Sequence, residues 1–161
     1  LAERARDAPT WEQRVERLRR LGFDGANVEA AVSVCEGAAN GVERGLRLAS
    51  ALMPYWMHHG LLGQAHRANV TALARAGAGV PSDLRARALL HAGAVCAARG
   101  DDAAAVTYLR QGVDLCRSGN VLEMQCEGLA RLGIAWIALD DPAAARACID
   151  EASALAGAVT P

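Results

Sequence analysis

At 161 residues, 52% hydrophobic but only 4% aromatic, the chain can bury a sizeable core built chiefly from Ala, Leu and Val, which suits close-packed helices. Its 17 basic residues are all arginine and are balanced by 18 acids, so the net charge of −1 withholds the basic footprint of a DNA-binding module. No window approaches about 18 uninterrupted apolar residues, and no signal peptide stands at the front. The expectation is a cytosolic protein, and an opening Leu1 in place of Met reads as a piece of something larger.

In chain order, Thr10 with Gln13 forms a capping box, and Trp11, Val15 and Leu18 predict a first helix over 11–21 that stops at Gly22. Its other face carries Arg14, Arg17, Arg19 and Arg20 beside Glu12 and Glu16, a solvated helix face with i,i+4 pairing. Asp24 can cap a second helix, whose buried side is Val28, Ala31, Val32 and Cys35. Asn40 can cap a third that runs through Leu46, Ala49, Leu52 and Trp56 toward Gly60. Pro54 lies inside it and predicts a kink or a local 3₁₀ turn, because proline has no N–H to give. A fourth helix covers roughly 61–76, and Gly77 to Pro81 is the clearest linker. Ser82 is the expected cap of the fifth helix, closed by Gly100 at the position after its C-cap. Asp102 is the expected cap of the sixth over 103–117, and Asn120 with Glu123 of the seventh. Asp141, with Pro142 at the first helical position, opens the eighth.

Nothing alternates with period two over strand length, so the fold class is all-α: eight helices in four antiparallel pairs. A fixed step runs through the pattern. Gly60, Gly100 and Asp140 are 40 residues apart, as are Ala65, Ala105 and Ala145, and Ala72, Gly112 and Ala152. Such a period marks an array of two-helix units that must stack to bury both faces, a helix-pair solenoid. One domain over 1–161 is expected, with a degenerate first pair at 1–37 and repeats at 40–76, 82–117 and 120–157. Small residues at Gly93 and Ala105 let paired helices approach closely, so Ala105→Arg is expected to unfold the array. Trp136→Ala is expected to open a cavity costing about 3–5 kcal/mol.

The run Leu132-Gly133…Trp136…Asp140-Asp141…Ala145…Ile149…Ala152 resembles a tetratricopeptide repeat. Ala92 to Gly112 is similar, and Leu52 to Ala72 is a degenerate copy with Asn69 at a normally large apolar place. The 40-residue step exceeds that family's usual 34. HEAT-like repeats have about this period but lack the small-residue pattern. Leu21…Asn27-Val28-Glu29-Ala30-Ala31, then Gly45 to Leu52 and Tyr55-Trp56…Gly60, resembles the start of the helical-repeat region in LuxR-type and AfsR-like bacterial transcriptional regulators. That resemblance implies a sensor or scaffold segment beside a nucleotide-hydrolysing switch domain, not the catalytic or DNA-reading part.

Little in the sequence carries chemistry. A Walker loop cannot occur without lysine, and no Gly-x-Ser-x-Gly or His-Glu-x-x-His is present. His58, His59 and His66 cluster near one helix corner, where interaction with terminal carbonyls is favoured over zinc. His91 reads as packed or groove-facing. Asp101-Asp102 and Asp140-Asp141 recur before helices, as capping residues do. Cys35, Cys96, Cys116, Cys126 and Cys148 are scattered, and read as reduced thiols on apolar helix faces. No enzyme activity, cofactor or metal is expected.

By resemblance to tetratricopeptide proteins, the ligand-facing positions of the concave face are Arg47, Ser50, Met57 and His58, then Arg87, Leu90 and Ala94, then Glu127, Ala130 and Ile134, with Arg131 at the same edge. Such a groove, apolar with an arginine rim, suits a peptide or helix with an acidic flank. It equally suits a neighbouring domain of the parent protein, or a small-molecule effector if it closes into a pocket of a few hundred Å³. An uncapped solenoid end makes a homodimer a further expectation.

Overall fold

The computed structural model describes residues 25–38, 41–77 and 79–159, together with residues 10, 12, 13, 15, 16 and 19. Seven helices are complete among these: α1 (Gly25–Gly37), α2 (Val42–His58), α3 (Leu62–Ala74), α4 (Ser82–Ala98), α5 (Asp102–Ser118), α6 (Leu122–Ala138) and α7 (Pro142–Val159). The described residues contain no strand, and no helix among them is long and apolar enough to cross a membrane. The count is seven where eight were expected, because the predicted first helix falls mostly outside the described residues. Of that helix, Glu12, Gln13, Val15, Glu16 and Arg19 are helical, and the Gln13 amide donates to Thr10 Oγ1 at 3.3 Å. Trp11, Leu18 and Gly22, and the proposed caps Asp24 and Asn40, lie outside.

The period is written into the helix boundaries. α2, α4 and α6 are 17 residues each and begin at Val42, Ser82 and Leu122. Their partners begin at Leu62, Asp102 and Pro142. Each corner between partners has one geometry. After α4, the Asp101 amide reaches back to Cys96 O (2.9 Å) and the Gly100 amide to Ala97 O (2.9 Å). This is the Schellman closure of a helix, and it needs a left-handed residue where Gly100 stands at φ +77°. Gly60 (φ +68°) and Asp140 (φ +59°) stand at the same step after α2 and α6, and Asn120 (φ +53°) does so after α5.

That geometry corrects three expected caps. Asn120 is the left-handed residue closing α5 and does not cap α6, whose N-cap is Val121. Asp101 caps α5 in place of Asp102, accepting from the Ala104 amide at 3.2 Å. Pro81 holds the N-cap position of α4, and Ser82 is its first helical residue. Asp141 caps α7 as expected, accepting from the Ala144 amide at 2.9 Å. Pro54 leaves α2 as an unbroken α-helix with no 3₁₀ turn.

The helices group into two compact units, 1–79 and 80–161, and the division falls in the segment expected as a linker. In the first unit α2 and α3 form the pair and α1 packs on both. Leu46, Leu52 and Trp56 are its deepest large side chains. The Arg75 guanidinium ties down the end of α1 by donating to the carbonyls of Cys35 and Glu36 in its last turn and of Ala38 just beyond it. Val28 is the buried residue of α1, with Val32 and Cys35 half-buried and Ala31 exposed.

In the second unit α4 packs on α5, α5 on α6 and α6 on α7, while α4 also touches α6. The repeated alanines are buried in both units: Ala65 and Ala105 are 0% exposed, and Ala145 is 3% exposed. Gly93 shows why α4 and α5 need small residues. A Cβ placed there would lie 2.6 Å from Leu109 Cγ and 3.1 Å from the Ala105 carbonyl oxygen. At Gly133, one repeat later, the nearest atoms are at 3.4 Å, an ordinary contact. Gly93→Ala is therefore expected to destabilise by about 1–2 kcal/mol, the clash outweighing the gain in helix propensity. Gly133→Ala is expected to stabilise by up to about 1 kcal/mol, since propensity acts there unopposed. Urea titration of the two variants checks the opposite signs.

Trp136 is partly buried and packs at the edge of the second core, so the large-cavity expectation placed on it passes to Trp56, at 2% exposure.

Candidate functional site

The expected ligand-facing residues divide between the two units. In the first, Arg47, Met57 and His58 are exposed on α2. Ser50 is not: it is 5% exposed and its hydroxyl lies within the core, so it faces no ligand. The Arg47 guanidinium donates to Glu43 Oε1 at 2.9 and 3.0 Å, one turn earlier on the same helix. In the second unit Leu90 is likewise a core residue, at 3% exposure. It fills the junction of α4, α5 and α6, where its Cδ2 lies 2.7 Å from a Cβ built on Gly112 and 2.8 Å from one built on Gly128. Arg87 and Ala94 are half-buried. On α6, Glu127, Ala130 and Ile134 are exposed in one stripe, and Arg131 at its edge pairs with Glu127.

The arginine rim is thus partly self-neutralised. Arg47 and Arg131 each already hold a carboxylate, so neither offers a bare fork for an acidic ligand.

A feature the repeat pattern did not single out is how apolar the free face of α6 is. Ile134 is 65% exposed and Ile137 60% exposed, one turn apart, with Ile149 of α7 at 46%. The Ile149 Cγ1 lies 3.4 Å from a Cβ built on Gly133, so Ile149 packs against α6 at that glycine. The signal was available in the sequence. Forty residues earlier Ala94 and Ala97 hold the places of Ile134 and Ile137, so the step from small to large is readable there.

Glu151 of α7 accepts from Arg117 Nη2 of α5 (2.9 Å) and from Gln125 Nε2 of α6 (3.0 Å), joining three helices. Arg117 also pairs with Asp114 at 2.7 Å, and these acids raise its affinity for its proton, Glu151 foremost. Burial pushes the thiols of Cys96, Cys116 and Cys148 up, which keeps them protonated and unreactive at neutral pH. His58 and His59 meet edge to face with centroids 5.0 Å apart, and Tyr55 lies 4.7 Å from His59. Among the described residues no group of three or more His, Cys, Asp or Glu side chains is placed to hold a metal ion. Asp101 and Asp141 are occupied as helix caps, and Asp140 lies in the turn before α7.

Two cavities of the first unit have about 10 Å³ each, room for a single water. In the second unit an open groove of about 310 Å³ runs along α5, beside Thr107, Arg110, Gln111 and Asp114. Comparison of the chain with protein-family models, with curated proteins and with solved structures finds no match in any of the three.

Proposed function

We propose that this chain is a protein–protein interaction module of the tetratricopeptide type, belonging to a larger cytoplasmic bacterial transcriptional regulator of the LuxR or AfsR kind, or to a related signalling ATPase. The observation that carries the reading is the isoleucine patch on α6 and α7, with Ile134 at 65% exposure and Ile137 at 60%. Contiguous exposed apolar surface on a rigid helical scaffold favours binding of a partner's helix or peptide. The two water-sized cavities of the first unit count against an effector there, and the groove along α5 is open and edged with polar side chains.

The test is selection of helical peptides from a displayed library on the full chain. Binders that lose at least about tenfold in affinity on Ile134→Asp are expected. Binders indifferent to Ile134→Asp and Ile137→Asp would place the interaction elsewhere and remove this reading's support.

A further inference from the structure

The seam between α1 and the α2–α3 pair is underfilled on its inner side. Two water-sized cavities lie in it. One is bordered by Val32, Cys35 and Glu36 of α1 with Gly45 and Ala72, the other by Val28 and Val32 with Trp56. Side chains that line a void lose part of their dispersion contacts. Glu36 Oε1 is shut from solvent with no hydrogen-bond partner among the described residues, a cost that falls on the docked helix. What holds the end of α1 is polar. Position 75 is arginine, where the next two repeats have Leu115 and Leu155, both packed against the second core. Arg75 Nη1 donates to Cys35 O at 3.2 Å and to Glu36 O, and Nη2 to Ala38 O at 2.8 Å. One side chain thus satisfies three carbonyls at the helix end. Gln64 Nε2 adds a bond to Glu29 Oε1 at 2.7 Å. The return into α2 passes so close that a Cβ on Gly41 would overlap the Cys35 carbonyl oxygen, so glycine there is a condition of docking.

We infer that α1 is a latch: it comes off α2 and α3 and melts while that pair stays folded, and the Arg75 clamp sets how often. Once off, α1 has little to keep it helical. It is 13 residues long, with glycine at both ends, no acid in its first turn and no base in its last. Isolated helices shorter than about 12–15 residues are marginal in water. Release uncovers the apolar seam of Val42, Leu48, Ala68 and Ala72, so the latch gates a surface that lies inside the first unit. The inference stands apart from the isoleucine patch, which belongs to the second unit.

Hydrogen exchange of the full chain, read segment by segment, is the test. Amides of 28–37 are expected to exchange at least about tenfold faster than those of 46–56 in α2. Their rate is expected to stay nearly constant in urea below the unfolding transition, as a local opening requires. Arg75→Ala is expected to speed α1 exchange at least about tenfold and to leave 46–56 unchanged. Gly41→Ala, which forces the helix off, is expected to do the same. It is also expected to raise the fluorescence of anilinonaphthalene sulfonate at least about twofold as the seam is exposed. Gly45→Ala sets a methyl 3.5 Å from Cys35 Cβ and is expected to slow α1 exchange at least about twofold. Exchange of α1 in step with α2 would overturn the inference, as would parent-like α1 exchange in Arg75→Ala. Equal acceleration of 46–56 in Arg75→Ala, or loss of its folded state, would make α1 integral to the pair and sink the latch. Unchanged dye binding by a Gly41→Ala chain whose α1 has melted would show that nothing is gated.

Discussion

Ala105→Arg is expected to abolish the cooperative thermal transition of the second unit, with helical amides over 82–159 losing protection in hydrogen exchange. Ala105 is 0% exposed and lies where α4 and α5 approach most closely, its carbonyl oxygen 3.1 Å from a Cβ built on Gly93. An arginine there must either force the helices apart or leave a guanidinium in a core of Leu90, Leu109 and Val113. Among the described residues of the second unit no carboxylate is buried to pair with it. Burying an unpaired charge costs several kcal/mol even after relaxation, and separating the helices forfeits the burial that holds them. A unit of this size has about 5–10 kcal/mol to lose. Ala105→Ser, which adds one atom and a hydroxyl able to bond its own helix, is expected to retain the transition at a lower temperature. A parent-like melt for Ala105→Arg would show that the pair does not close at this residue.

Trp56→Ala is expected to cost about 3–5 kcal/mol, read from chemical denaturation of the first unit. Trp56 is 2% exposed on α2, among the largest fully buried side chains, and the first unit's other deep large residues are Leu46 and Leu52. Removing the indole leaves a cavity that rigid helices fill only in part. Trp136→Ala, at the same repeat position of the second unit, is expected to cost less, because Trp136 lies at the margin of its core. Equal losses for the two variants would contradict the difference in burial.

The comparison of these tryptophans shows where the sequence stops being informative. Spacing alone makes Trp56 and Trp136 equivalent, yet one is closed over by its surroundings and the other is not. The same holds for Leu90 and Ala130. The resemblance to tetratricopeptide repeats assigns both to a ligand-facing stripe, but α6 covers Leu90 and nothing described covers Ala130. Helix ends divide in a similar way. Polar residues at Asp101, Asp102 and Asn120 all read as caps, because Asp and Asn serve both N-caps and left-handed turns. Only the backbone dihedrals decide that Asn120 and Asp140 play the role that Gly60 and Gly100 play elsewhere.

What the sequence by itself determined is the all-α class and the paired units, with their 40-residue step and small-residue seams at Ala65, Ala105 and Ala145. Those follow from local chemistry repeated along the chain, which needs no partner to be read. The tertiary structure decided which face of each repeat is used up by stacking and which stays free. Exposure at Ile134, Ile137 and Ile149 depends on what lies across from a helix, and a one-dimensional period does not carry that information.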